Sequence, residues 1–201
     1  MIIGIPSEIK PGEQRVAMSP ANVKSLTDKS VQVLFQTNAG SAAGYPDAEY
    51  AASGATLTDD RAEIFAKADI ILQVQSFGSN NDNSDADLAS LRKGQLVIGM
   101  MDPLASPQAA QAVADRGASA IALELVPRIS RAQSMDVLSS MATLSGYKAA
   151  LMGASAAPRI FPMLMTAAGT LQPARVLIMG VGVAGLQACA TAKRLGGVVE
   201  A

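Results

Sequence analysis

One stretch constrains this chain more than any other: Arg175-Val-Leu-Ile-Met-Gly-Val-Gly-Val-Ala-Gly185. Arg175 to Met179 carry an apolar run that reads as a buried strand. Gly180 to Gly185 then fit G-x-G-x-x-G, and Leu186 to Leu195 follow as a helix. Strand, glycine turn and helix in that order are the context a dinucleotide fingerprint requires. The spacing assigns each glycine a task. Gly180 allows a tight turn, Gly182 lets a pyrophosphate approach the backbone, and Gly185 lets helix and strand pack closely. The free N–H groups at the helix start then favour phosphate. Gly196 and Gly197 end the helix, and Val198 to Ala201 begin a second strand. The fingerprint also expects an acidic residue about 20 positions on, at the tip of that strand. The chain stops at Ala201, inside the strand, with Glu200 along it, and so reads as truncated and inactive alone.

Composition narrows the function classes. A chain of 201 residues suits one or two domains, and 49% apolar with 16% charged residues is globular in character. The net charge of −1 and 3% aromatics give nucleic acid neither a basic surface nor stacking platforms. No apolar run reaches the roughly 18 residues of a membrane span. The N-terminus lacks the basic region and cleavage site of a signal peptide. Cys189, the one cysteine, is expected as a small core residue, and the ten methionines as core filler. The absence of histidine removes the commonest general base and metal ligand together, and no metal site is expected.

Along the chain, strands are expected at Ile2 to Ile5, Val31 to Phe35, just after Gly54, Asp69 to Val74, Leu96 to Met100 and Ser119 to Leu123. Helices are expected from Ser19-Pro20 to Asp28, Pro46-Asp47 to Ala52, Asp59 to Lys67, and Ser106-Pro107 to Arg116. Ser76 to Asp87 reads as a solvated surface loop. This alternation implies βαβ units in a parallel sheet. At Pro127 the rhythm breaks. A polar loop, Arg128 to Ser134, precedes a long helix from Met135 to about Ala154, and Pro158 is expected to open another helix through Ala168. The fold class is α/β, with two Rossmann-like lobes of mainly parallel strands. The lobes are residues 1–134 and an incomplete 158–201, joined by a connecting helix over 135–157.

Two further segments carry a family resemblance. Ile5-Pro-Ser-Glu-Ile-Lys-Pro-Gly-Glu-Gln-Arg-Val-Ala-Met-Ser-Pro20 resembles the opening of the alanine dehydrogenase and transhydrogenase superfamily. Glu124-Leu-Val-Pro-Arg-Ile-Ser-Arg-Ala-Gln-Ser-Met-Asp-Val-Leu-Ser-Ser140 resembles the NAD(H)-binding segment of the alpha subunit of proton-translocating NAD(P) transhydrogenases. The resemblance runs over essentially the whole chain, corresponding to about the first half of that subunit's peripheral domain. It implies an NAD(H)-binding component that exchanges hydride with NADP(H) on a separate domain, coupled to proton movement through a membrane part. It also implies a homodimer, placed in the cytoplasm and peripheral to the inner membrane through its partners. Carried over by motif, Arg128, Ile129, Ser130, Gln133, Asp136 and Ser139 line the nicotinamide side. Gly180, Gly182, Val183 and Gly185 hold the pyrophosphate.

The residue types suit those tasks. Arg128 offers a planar cation, Gln133 and Ser139 offer hydrogen bonds, and Asp136 can fix Arg128. The plainer reading makes Arg128 and Arg131 loop charges, with Asp136 and Ser134 capping the long helix. Asp136 and Ser139, three apart, share a helix face. Alanine dehydrogenase itself is the main competitor. Its active site resembles this one in using the early arginine, here Arg15, but also needs a lysine and a histidine. This chain has Gln73 and Gln75 in the lysine's neighbourhood and no histidine. Oxidising an amino acid requires a proton acceptor, whereas hydride transfer between two nicotinamides requires only apposition. Arg15 is therefore expected to pair with Glu8 or Glu13. Tyr147-Lys148 does not match the Y-x-x-x-K pair of short-chain dehydrogenases, because adjacent helical residues point about 100° apart. A non-catalytic NAD-binding regulatory module is the remaining alternative.

Overall fold

A computed structural model describes residues 1–80 and 84–201, which form two compact units, Met1–Val126 and Pro127–Ala201. The second unit opens at Pro127, where the strand–helix rhythm breaks, ahead of the Ser134 read from sequence.

In the first unit, β1 (Ile2–Ile5), α1 (Pro20–Thr27), β2 (Gln32–Gln36), α2 (Asp47–Ala52), β3 (Thr56–Thr58) and α3 (Arg61–Lys67) follow in turn. Then come β4 (Ile70–Gln75), α4 (Asp85–Ser90), β5 (Leu96–Met100), α5 (Pro107–Asp115) and β6 (Ser119–Ala122). The six strands form one sheet in the order β3-β2-β1-β4-β5-β6, every neighbouring pair parallel. This is the doubly wound order, with its reversal between β1 and β4. The core divides accordingly. Val23 of α1 and Tyr50 of α2 pack with Ile3, Ile5, Val33 and Phe35 in one cluster. Phe65 of α3, Leu91 after α4 and Val113 of α5 pack with Ile71 and Val97 in the other. The central strands are covered on both faces, which is why they read as largely apolar runs, with Gln73 of β4 a buried polar residue among them.

Packing on the first side is anchored by an aromatic pair. Phe35 and Tyr50 stack with centroids 3.7 Å apart, and the Tyr50 hydroxyl donates to the Met18 carbonyl at 2.9 Å. Burial pushes the Tyr50 phenol up to about 12. On the other side, Arg61 donates to both carboxylate oxygens of the nearly buried Asp87 at 2.7 and 2.6 Å, and also to the Ser7 carbonyl at 2.7 Å. The pair ties α3, α4 and the end of β1 together. The end of the loop expected from Ser76 to Asp87 is instead the start of α4, whose Leu88 packs against the core while Asp87 meets Arg61. Residues 81–83 lie outside the described residues.

The second unit contains α6 (Val137–Ala156), β7 (Leu164–Thr166), β8 (Gly169–Leu171), β9 (Arg175–Leu177), α7 (Val183–Arg194) and β10 (Val198–Glu200). β9 and β10 pair in parallel around α7, a βαβ unit. The helix expected from Pro158 to Ala168 does not form; β7 and β8 make an antiparallel hairpin instead. Two prolines account for this. Pro158 and Pro162 force the residues before them toward extended backbone, and Gly169, at φ +135°, supplies the turn. The fingerprint strand is also shorter and less buried than its sequence suggests, ending at Leu177 with Leu177 70% and Met179 92% exposed. A two-stranded sheet covers such side chains poorly. Cys189 is half-buried, while the tight positions on α7 are Ala188, Thr191 and Ala192. Among the described residues, no helix is long and apolar enough to cross a membrane.

Candidate functional site

The second unit brings the fingerprint and the polar segment after Pro127 into one structure. At the end of β9, Gly180 takes φ +100°, a conformation only glycine adopts without strain. Gly182 is the N-cap of α7, and a methyl group built on it meets nothing within 4 Å. A methyl on Gly185 lies 1.8 Å from the Gly180 carbonyl oxygen, so the turn folds back directly onto the first turn of the helix. The turn is thus forced at Gly180, open over Gly182 and closely packed at Gly185. Val183 begins α7 and is exposed.

Sequence reasoning passed over a fourth glycine. Gly146 is buried in the middle of α6, and a methyl there would sit 2.0 Å from the Ala184 carbonyl oxygen. The long helix therefore lies directly against the first turn of α7. Its signal in sequence is a glycine inside a helical run, which costs helix stability and so asks for a packing reason; α6 carries a second, Gly153, where a methyl would meet nothing within 4 Å. Ser139 is seven residues from Gly146, on the same helix face and roughly 10 Å along the axis at 1.5 Å per residue. The start of α6 and the glycine turn are in this way set along one line.

At that start, Asp136 is the N-cap. Its carboxylate accepts from the Ser139 N–H at 2.9 Å and from the Ser139 hydroxyl at 2.6 Å. Those bonds, hydroxyl first, hold the Asp136 carboxyl below its usual range, and the nearby Arg128 charge adds to the effect. Arg128 is thus an electrostatic neighbour of Asp136, with no ion pair between them among the described residues. Asp136 caps α6 as the plainer reading has it, but through Ser139 rather than together with Ser134. Ser130–Met135 form a 3₁₀ turn in place of an irregular loop, with Ala132 buried inside it. Arg128, Ile129, Ser130 and Gln133 all face solvent. The side chains of Arg128 and Gln133 make no hydrogen bond among the described residues, so their donors are available. Glu200 forms an ion pair with Arg175 on the neighbouring strand.

The first unit carries its own polar cluster where the strand order reverses. Arg15 pairs with Glu13 through two bonds, Nε at 2.8 Å and Nη2 at 2.6 Å, so that Glu13 is the partner of the two expected from sequence, Glu8 and Glu13. Arg15 holds the Glu13 carboxyl down at about 2. Glu8 accepts from the Val74 and Gln75 N–H groups at 2.6 and 2.9 Å, and burial nevertheless raises its carboxyl. The Gln75 amide donates to Glu13 at 2.9 Å. This crevice is occupied by its own side chains.

Comparison with known proteins agrees with the architecture. The alanine dehydrogenase/PNT N-terminal domain matches residues 4–145, and the alanine dehydrogenase/PNT C-terminal domain matches residues 149–201. The first portion of a divided NAD(P) transhydrogenase alpha subunit from Rhodospirillum rubrum is 46% identical over the whole chain, which covers 52% of that protein. An alanine dehydrogenase from Mycobacterium tuberculosis is 33% identical over 99% of this chain and 52% of its own length. The crystal structure of a transhydrogenase from Sinorhizobium meliloti superposes with a TM-score of 0.91 at 44% identity, over 99% of this chain and 55% of that one. The chain thus spans about half the length of the relatives it matches. By these matches across both units, it belongs to the alanine dehydrogenase/PNT family.

Proposed function

We propose that this chain forms the NAD(H)-binding part of a proton-translocating NAD(P) transhydrogenase, exchanging hydride with NADP(H) held on a separate domain. The observation that carries this reading is the glycine turn. Gly180 takes a backbone conformation that only glycine adopts without strain, and Gly185 is pressed against it, while the space over Gly182 stays open beside free N–H groups at a helix start. Gly180, Gly182, Val183 and Gly185 hold the pyrophosphate, with Arg128, Ile129, Ser130, Gln133, Asp136 and Ser139 on the nicotinamide side. Asp136 acts there by capping α6 and holding Ser139. When bound, NAD(H) supplies the hydride chemistry; the protein binds and orients it. The component acts in the cytoplasm, beside a membrane part and the NADP-binding domain. It pairs as a homodimer, for which the exposed Leu164, Met165 and Leu171 of the β7–β8 hairpin offer apolar surface.

Equilibrium titration of the complete subunit with NADH and with NADPH tests the reading. Preference for NADH is expected, and preference for NADPH overturns it. Arg128→Ala should weaken NADH binding by about 1–3 kcal/mol, the worth of a charged hydrogen bond.

An alanine dehydrogenase activity is the second reading, supported by the relative at 33% identity. Two observations weigh against it. The chain has no histidine, and Gln75 at the end of β4 is committed to Glu13. Oxidation of alanine by the complete protein would revive it. NADH binding without hydride exchange in the presence of the partner domains would instead favour the regulatory module.

A further inference from the structure

Within the second unit, α6 and α7 pack side by side and run in the same direction. At one end Gly146 meets α7, where a methyl would lie 2.0 Å from the Ala184 carbonyl oxygen. At the other, Gly196, just past α7, is pressed against Pro162, shortly after α6, and a methyl there would lie 2.6 Å from the Pro162 Cβ. Small side chains close the seam between these points, Ala150 and Ala154 of α6 with Ala188 and Ala192 of α7. Beyond the Gly146 contact the helices are matched in length, over residues 147–156 and 185–194. Ahead of it they are not. There α7 has the single residue Val183, whereas α6 has residues 137–145. The first turns of α6 therefore run on past the start of α7, on the side where the glycine turn lies.

This overhang differs in chemistry from the seam. The strip of α6 that faces α7 is glycine and alanine, but past α7 the same strip turns to hydroxyls. Residues 137–145 include Ser139, Ser140, Thr143 and Ser145. At about 100° per residue, Ser139 lies ~20° and Thr143 ~60° from the direction of Gly146, while Ser140 and Ser145 lie ~120° and ~100° away. Burial follows this geometry, with Ser139 and Thr143 half-buried and Ser140 and Ser145 exposed. Ser139 is committed to Asp136. Thr143 lies closer to the turn, ~4.5 Å along the axis from Gly146 against ~10 Å for Ser139. Its Oγ1 donates to the Ser139 carbonyl at 3.1 Å, a bond within the helix that a hydroxyl can exchange for a stronger acceptor by rotating. We propose that Thr143 binds the cofactor directly, its hydroxyl donating to a diphosphate oxygen held over Gly182. The inference rests on the reading that the glycine turn holds the pyrophosphate of NAD(H). A methyl on Gly182 meets nothing within 4 Å, which leaves that oxygen room. The hydroxyl then adds a charge-assisted hydrogen bond from the side, where the N–H groups of α7 approach from below.

The test uses the complete subunit, with Thr143→Val, which keeps the shape and loses the hydroxyl, and Thr143→Ser, which keeps the hydroxyl. Thr143→Ala stands in if the valine variant does not fold. Equilibrium binding is read with NADH and with ADP-ribose, which has the diphosphate but no nicotinamide. Thr143→Val should raise both dissociation constants about tenfold, through loss of one hydrogen bond to a charged group. Thr143→Ser should bind both ligands nearly as the wild type does. A loss confined to NADH would put the hydroxyl at the nicotinamide end and overturn the diphosphate contact. A lower melting temperature with wild-type affinity for both ligands would also overturn it, leaving Thr143 a structural residue. So would a serine variant as impaired as valine, since packing and not the hydroxyl would then decide binding. A wild type that binds neither ligand sinks the reading of the glycine turn itself, an outcome seen before any variant is made.

Discussion

At the scale of single residues, Gly182 and Gly185 separate binding from folding. A methyl on Gly182 meets no atom of the protein within 4 Å, so Gly182→Ala should change unfolding free energy by no more than about 0.5 kcal/mol. It should nonetheless cost ~1–3 kcal/mol of NADH binding by filling the approach to the pyrophosphate. Gly185→Ala drives its methyl into the Gly180 carbonyl and should lose both stability and binding. Denaturation and NADH titration of the two variants side by side distinguish the outcomes. Equal behaviour would mean that the open space is not the nucleotide's.

Glu13 and Glu8 give the first unit opposite responses to acid. Arg15 holds Glu13 down at about 2, so its contribution is complete above the ordinary carboxylate range and drains away as pH falls toward 2. Glu8, raised by burial, works the other way, its contribution fading as pH rises through its folded value. Glu13→Gln should therefore flatten the loss of stability between about pH 4.5 and 2, measured by urea unfolding at stepped pH. An equally steep acid limb in the variant would show that the Arg15 pair contributes nothing.

At the scale of elements, the contact of α6 with α7 sets the geometry of the candidate site. Gly146→Ala places a methyl 2.0 Å from a backbone carbonyl, which cannot rotate away. The helices must part, at about 1–3 kcal/mol of stability, and the glycine turn moves with the first turn of α7. Thermal unfolding and NADH titration should both register the change; a variant with wild-type values in both would refute the close contact. Strands and most helices were legible in sequence because doubly covered parallel strands are continuous apolar runs and helices here begin at Ser-Pro or Asp. The β7–β8 hairpin was not legible: Met163-Leu-Met-Thr-Ala-Ala has helical composition, and two upstream prolines decide otherwise. A contact between residues distant in sequence, such as Gly146 against Ala184, leaves no more local pattern than a glycine inside a helical run. It depends on which elements meet, which spacing does not encode.

At the scale of the whole molecule, two α/β units use related windings differently. The first has the full six-stranded order, yet Ile5 leads into Pro6 with no glycine turn, and the crevice at the strand reversal is filled by Glu8, Glu13, Arg15 and Gln75. The second has only the βαβ start of such a fold and carries the fingerprint. The alternation of strands and helices conveyed the shared class, and the glycine spacing alone told the units apart. The sheet order also has a bearing on how the chain is made. β1 is central, β2 and β3 extend one side of it in turn, and β4, β5 and β6 then extend the other. No strand has to be inserted between two already paired. A polypeptide emerging from the ribosome at about 5–20 residues per second can therefore add each strand to a waiting edge as it appears, with the first unit assembled before the glycine turn is synthesised.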